Sequence, residues 1–488
     1  SDALRYPDTE DHNMAIGFQA LGGSGLAGGE YNVAIGNNAL NGLTSGDKNV
    51  AIGYGAGTAV TTNDMRVLIG YNAGLSLTTG DNCVFIGGEA GDGHDTEGHN
   101  VGIGRAALGG AVAGGEFNVA VGSYTLDALT SGDNNVAIGY NALSGNTAGS
   151  NNVAIGFEAL SNPNVGNTVA IGYQALKANN DTGYNNTAVG YLSLTANTTG
   201  DANTALGRET LEANTTGLRN IAIGYGALDA PDTENDNTAI GYNALTGASL
   251  AGAEFNVCVG NNTLDSLTTG DNNTAVGYDA GQYFTTGTSN IAIGKSSGKI
   301  LTTGSNNIYI GLNAEANASG AATEIVLGND VVGNADSSFC FGNASSDSAI
   351  ANGATSISAP SDLRWKKDIE DSEAGLSFLN DLRVVNFKWK TKGELDSNLY
   401  GYEEGSTKSS GYTDEGTHGF IAQEVKAVLD NHPEVREGSK IWEEGPDAKS
   451  NRQYLAYGAM LPMLVKAVQE LSAQVTTLKD EINNLKGG

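Results

Sequence analysis

The chain has 488 residues, with 70 Gly, only seven Pro, 7% aromatic and 16% charged residues. This composition is poor in the large side chains that fill one conventional core, and it suits many short strands and turns. The net charge of −30, with 9 basic against 33 acidic side chains in residues 1–360, repels nucleic acid and anionic membrane and argues against both as partners. No apolar run is long enough to span a bilayer, so no membrane insertion is expected. No signal peptide opens the chain at Ser1, and a region upstream of Ser1 is expected to hold any anchor.

Through residues 1–342 one short phrase recurs twenty times: a small residue, a branched apolar residue and Gly, as in Ala34-Ile35-Gly36, Ala137-Ile138-Gly139 and Ala239-Ile240-Gly241. Successive phrase glycines, from Gly17, Gly36 and Gly53 to Gly311 and Gly328, lie about 17 residues apart, which reads as a stacked solenoid. In Asn135-Val136-Ala137-Ile138-Gly139-Tyr140-Asn141-Ala142-Leu143 the alternation predicts a short strand with Val136 and Ile138 on one face and Ala137 on the other. The middle position is usually Ala, with Gly102, Cys258 and Cys340 among the departures, so it is expected to exclude bulk. The invariant Gly predicts a corner with positive φ or a close backbone neighbour. Asn stands four residues before it at Asn32, Asn49, Asn118, Asn186, Asn220 and Asn273, and stacking would align these amides into a ladder.

Turn-forming runs such as Thr130-Ser131-Gly132-Asp133-Asn134 and Thr268-Thr269-Gly270-Asp271-Asn272 read as rung corners. Longer corners carry an insertion ending in an acid and an aromatic, at Glu30-Tyr31, Glu116-Phe117 and Glu254-Phe255, expected on one side of the rod. Twenty rungs at the strand spacing of about 4.8 Å give a shaft on the order of 90 Å long. Cys83, Cys258 and Cys340 fall inside the repeats and read as buried packing. His12, His94 and His99 are scattered among turns, and no spacing resembles a metal motif, so neither metal nor cofactor is expected. Asp and Asn oxygens at the corners allow calcium binding as an alternative to their ordinary turn role.

The repeated phrase resembles the head repeats of trimeric autotransporter adhesins over roughly residues 13–342. The resemblance implies a left-handed parallel β-roll and a homotrimer, with a triangular interwoven β-helix as the runner-up. The expected fold is therefore mostly β: a trimeric parallel β-roll or β-solenoid shaft of about twenty 17-residue repeats, then a linker or distal tip at 343–360.

At Ser361 glycine becomes rare and Lys, Arg and Trp appear in a heterogeneous α+β sequence. Ser361-Asp362-Leu363-Arg364-Trp365-Lys366 resembles the Ser-Asp-x-Arg-x-Lys opening of the C-terminal intramolecular chaperone domains of phage endosialidases and tail fibres, with Trp365 where that family commonly has Leu. Gly419-Phe420-Ile421-Ala422-Gln423-Glu424-Val425 is similar to the family's internal motif, marked by Gly419, Gln423 and Glu424, and Tyr454 to Leu471 to its closing helix. The resemblance implies a chaperone domain at 361–460 that breaks the Pro360–Ser361 peptide bond. Ser361 would be the nucleophile and Lys366 its base, with Asp362 and Arg364 positioning the site. A Ser hydroxyl needs such a base, and a desolvated Lys can serve. Standing alone, Ser-Asp-x-Arg would read as a helix N-cap.

In residues 461–488, Leu464, Val468, Leu471, Val475, Leu478, Ile482 and Leu485 alternate spacings of four and three, the seam of a coiled coil. Parallel β-rolls form slowly and expose unpaired edges, so a C-terminal trimeriser that aligns three chains and is then cleaved off would assist folding. The expected function is a phage tail fibre or related surface fibre that binds a bacterial cell-surface receptor, glycan or protein. It would join virion tail components through a region upstream of Ser1. The alternative is a bacterial adhesin or extracellular filament with a cell-surface anchor. A glycan hydrolase ranks below both, since the shaft offers no non-repeat domain for a paired-carboxylate cleft. An ice-binding solenoid is also weak, because Thr clusters at corners. Any enzymatic activity is expected on the chain's own peptide bond alone.

Overall fold

Alternating branched and small residues between Gly and Asn corners leave each repeat room for one short strand, and the computed structural model shows it, three residues long in most repeats and five in the last two. It describes residues 12–343 apart from 24–27, 112, 163–165, 180–183, 231–232 and 248–251. It also describes the backbone of 348–350 and, further on, 372–395, 397, 402–408, 417–436, 441–444 and 453–486. The chain divides into two units, residues 1–360 and 361–488.

In the first unit twenty strands, β1 (Met14–Ile16) to β20 (Phe339–Asn343), stack into one parallel sheet, and Ser348–Ile350 pairs antiparallel with β20. Register is kept from rung to rung: Val136, Ala137 and Ile138 lie opposite Val153, Ala154 and Ile155. Each rung bonds alternately to both neighbours. Val136 N–H donates to the Asn152 carbonyl at 2.8 Å and Gly139 N–H to the Val121 carbonyl at 2.8 Å. The fold is a parallel β-solenoid of 17-residue repeats.

Ala137, Ala142 and Leu143 point inward and are fully buried, as are most of their equivalents along the shaft, Ala15 of β1 being partly buried. The branched residues point out: Ile138 is 38% exposed, Ile221 39% and Val257 39%. A further outward column follows the phrase glycines, where Tyr140, Phe157, Tyr173 and Tyr191 stack with ring centroids 5.2 to 5.4 Å apart. Arg208 continues it between Tyr191 and Tyr225. The shaft thus carries apolar columns on its outside as well as within.

Both reasons foreseen for the phrase Gly operate together. Gly139 has φ +131, and a Cβ there would lie 2.4 Å from the Gly156 carbonyl oxygen. We expect Gly139→Ala to lower stability by about 3 kcal/mol or more, since neither backbone can yield. Chemical denaturation of the assembled protein would measure the loss, and a midpoint equal to wild type would refute it.

The Asn ladder is present. Asn118 Oδ1 accepts from the Asn135 backbone N–H at 2.9 Å and from its side-chain Nδ2 at 3.0 Å, while Asn135 Nδ2 also donates to the Gly149 carbonyl. All of these amides are buried and satisfied, which is what makes a polar column tolerable inside. Arg66 takes one ladder place, fully buried, with Nε donating to the Gly80 carbonyl and Nη1 to the Asn63 carbonyl.

Two expectations need correction. The middle strand position does admit bulk: Leu68, Phe85 and Tyr309 occupy it, fully buried. Space comes from Gly74, Gly91 and Gly298, where most rungs carry Leu. A Cβ on those glycines would lie 2.9, 2.5 and 2.9 Å from the intruding side chains. Nor does His94 belong to a polar turn. It fills the inner corner place that Leu43, Leu77 and Leu129 hold in other rungs, packed against Phe85 with neither ring nitrogen bonded.

Burial lowers the His94 pKa to about 4. An unfolded chain therefore takes the proton first, so the stability His94 contributes is complete above pH 6.5 and is lost as pH falls toward 4, by on the order of 3 kcal/mol. The shaft should lose protease resistance in this window, and His94→Leu should abolish that loss. Equal acid sensitivity in the variant would refute the assignment.

Candidate functional site

The second unit is built around Phe378, Val425, Leu429, Val435, Ile441 and Met460. Helix α1 (Leu376–Asp381) supplies Phe378, and strands Val385–Phe387 and Thr417–Gly419 pair antiparallel ahead of helix α2 (Ala422–Asn431). A short helix α3 (Pro433–Arg436), a second antiparallel pair (Trp442–Glu444 with Gln453–Leu455) and the long helix α4 (Leu461–Lys486) follow.

The internal motif sets out α2. Gly419 ends its strand beneath two rings: a Cβ there would sit 3.0 Å from the Tyr457 hydroxyl and 3.2 Å from Phe387. Val425 and Leu429, one turn apart, face the core, while Gln423 is exposed. Glu424 stands in the first turn, where the helix N-terminus favours a carboxylate. It pairs in fork geometry with Arg383, Nε to Oε2 at 2.9 Å and Nη2 to Oε1, and this hydrogen bonding holds its carboxyl below the ordinary range. Both side chains are largely exposed, so the pair orients the helix more than it stabilises it.

Two further contacts close the unit, and neither has a sequence signature. His432 is held between Asp381 on α1, at 2.8 Å, and Glu434 on α3, at 2.7 Å, with its ring edge-on to Phe378. The hydrogen bonds to these carboxylates raise its pKa. Glu470 on α4 accepts the Leu376 N–H at 2.8 Å and so caps the start of α1.

Helix α4 therefore presents two stripes. One, through Met463, Ala467 and Glu470, lies against the rest of the unit. The other is the predicted seam, one residue along and uncovered: Leu464 is 51% exposed, Leu471 50%, Leu478 56% and Leu485 84%, with Val468, Val475 and Ile482 between them also exposed.

The expected scissile pair Pro360 and Ser361, with Asp362, Arg364 and Lys366, lies outside the described residues. Among the described residues no group of His, Cys, Asp and Glu could hold a metal ion, and no helix is long and apolar enough to cross a membrane. Neither the curated proteins nor the solved structures contain a match to this chain. Residues 361–433, from the Ser-Asp-x-Arg opening through α2, match the family described as chaperone of endosialidase, so a β-solenoid shaft precedes a segment of that kind.

Proposed function

We propose that the protein is a subunit of a homotrimeric phage tail fibre, or a related surface fibre, that attaches to bacterial host cells and is assembled by its own C-terminal chaperone. The observation that carries this reading is the match of residues 361–433 to an endosialidase chaperone on a chain whose remainder is a β-solenoid. Trimerisation draws support from two independent apolar faces left uncovered in a single chain: the outward Val, Ile and Tyr columns of the shaft and the α4 seam. A soluble protein rarely leaves contiguous faces of this size to water.

In this reading the chaperone gathers three chains and then leaves by self-cleavage. Ser361 Oγ attacks the Pro360 carbonyl carbon while Lys366 accepts the hydroxyl proton. The Pro360–Ser361 C–N bond breaks, the Ser361 amino group takes a proton, and water hydrolyses the resulting ester. Residues 1–360 stay on the fibre, which joins virion tail components or a cell-surface anchor through a region upstream of Ser1. The receptor is a glycan or protein of the bacterial surface. The resemblance of the repeats to adhesin heads favours a bacterial adhesin as the second reading.

Labelled mature trimers should bind a subset of a bacterial strain panel saturably, and binding to none would defeat the host-attachment reading. Cleavage would expose residues 343–360 at the distal end, where recognition loops first meet a cell. Scrambling 343–360 should then cut binding by about tenfold or more. Undiminished binding would move the receptor site to the inserted corners at Glu30-Tyr31, Glu116-Phe117 and Glu254-Phe255.

A further inference from the structure

Rungs this alike pose a problem of register. A strand of the shaft pairs almost equally well with a neighbour one rung too far, because Ala, Gly and Asn recur at the same places. Two buried carboxylates break that degeneracy. The residue three before the ladder place, which holds Asn in most rungs and Cys83 in one, is Gly at regular corners such as Gly80, Gly132 and Gly217. A Cβ there would come within 2.1, 2.2 and 2.4 Å of the next corner's carbonyl oxygen. Glu97 and Glu234 occupy this place and are 4% and 2% exposed.

Each stands one rung before an inserted corner, and each reaches it. Glu97 Oε1 accepts the Gly114 N–H at 2.9 Å, and Glu234 Oε1 accepts the Gly252 N–H at 2.9 Å. The second oxygen closes the carboxylate's own corner. Glu97 Oε2 accepts from Asp95 N–H at 3.0 Å and Thr96 N–H at 3.1 Å, and Glu234 Oε2 from Thr233 N–H at 3.0 Å. In the sequence Glu10 stands 18 residues before Gly28, just as Glu234 stands 18 before Gly252, although Glu10 lies outside the described residues.

We propose that Glu97 and Glu234 are register pins, each fitting only beneath an inserted corner. A chain that loops out the inserted rung brings Glu97 under the regular corner at Gly132. The carboxylate then loses the Gly114 N–H and has no amide directed at it from the following rung. The donors of its own corner keep Oε2 satisfied, but a buried carboxylate oxygen left without its donor is a costly fault in a core. The correct stack alone satisfies both pins. The inference rests on the solenoid and is independent of what the fibre binds.

Cysteines at matching places on successive rungs report register directly. Adjacent rungs are about 4.8 Å apart, within disulfide reach, whereas two rungs at about 9.6 Å are not. In full-length chain refolded from denaturant, Arg105→Cys with Ser123→Cys reports the native neighbour, and Arg105→Cys with Tyr140→Cys the slipped one. Intrachain links are read by peptide mass spectrometry. With Glu97 intact the native link should form alone. Glu97→Gly, which restores the residue of a regular corner, should lower the native link at least about twofold and bring up the slipped one. Native linkage unchanged in Glu97→Gly overturns the proposal. Should that variant aggregate, Gly132→Glu is compared with Gly132→Gln, which carries the same steric clash at this corner without the charge. A refolding yield for Gly132→Glu at least about tenfold below that of Gly132→Gln supports the pin, and equal yields overturn it.

Discussion

Replacing both Leu471 and Leu478 by Asp should leave the full-length chain without trimers, giving aggregates or unfolded protein where the wild type should give a trimer resistant to unheated detergent. Both residues sit on the α4 seam, 50% and 56% exposed in a single chain, and no other described residue of their unit buries them. A coiled coil buries such positions, at about 2 kcal/mol for each Leu, so the six leucines of a trimer represent about 12 kcal/mol before any cost of burying Asp. The outward Val and Ile columns of the shaft cannot replace this contribution during folding. In a trimer they would become complementary surfaces only after three chains had formed their rungs in step, so those contacts would form late. Light scattering on the variant decides the matter. A stable trimer would show that the shaft assembles unaided, and a stable soluble wild-type monomer would remove the seam's role altogether.

The shaft was legible from its period because stacking turns one local pattern into a global one. A Gly that recurs every 17 residues beside an Asn four places earlier leaves few alternatives to a ladder of identical corners. What lay beyond the sequence were features held by a neighbouring rung and not by the residue's own preference. Leu143 has φ +55, a region that costs a Leu about 1 kcal/mol, and it is kept there by donating its N–H to the Ala159 carbonyl one rung away. His94 reads as a turn residue in isolation, yet its register position places it in the core. Phe85 and Gly91 show the same limit, since each is explicable only with the other.

In the second unit the internal motif spans a strand end at Gly419 and the first turns of α2, elements the motif by itself does not name, although Val425 and Leu429 carry the helical spacing that marks α2. Arg383 with Glu424, Asp381 with His432 and Leu376 with Glu470 were not legible. These partners stand 41, 51 and 94 residues apart, and no local pattern encodes such pairings.

Wild-type chain should separate on a denaturing gel into a shaft of residues 1–360 and a fragment beginning at Ser361, while Ser361→Ala and Lys366→Ala should remain full length and trimeric. Loss of the nucleophile or its base should slow cleavage by at least about a thousandfold, because nothing else nearby is expected to attack the Pro360 carbonyl. Trimerisation should survive, since the α4 seam and the contacts of Glu424 and Glu470 do not depend on either side chain. N-terminal sequencing of the small fragment fixes the bond, and cleavage unchanged in Ser361→Ala would remove Ser361 from its role. The consequence for stability is separable from the chemistry. If the chaperone is needed only to bring three chains into step, the cleaved shaft should persist while folded yet fail to re-form after complete denaturation, whereas Ser361→Ala should refold. Such a difference would place the cleaved fibre under kinetic control, held by slow unfolding of its stacked rungs. Equal refolding of both forms would mean that the shaft carries its own instructions for trimer assembly.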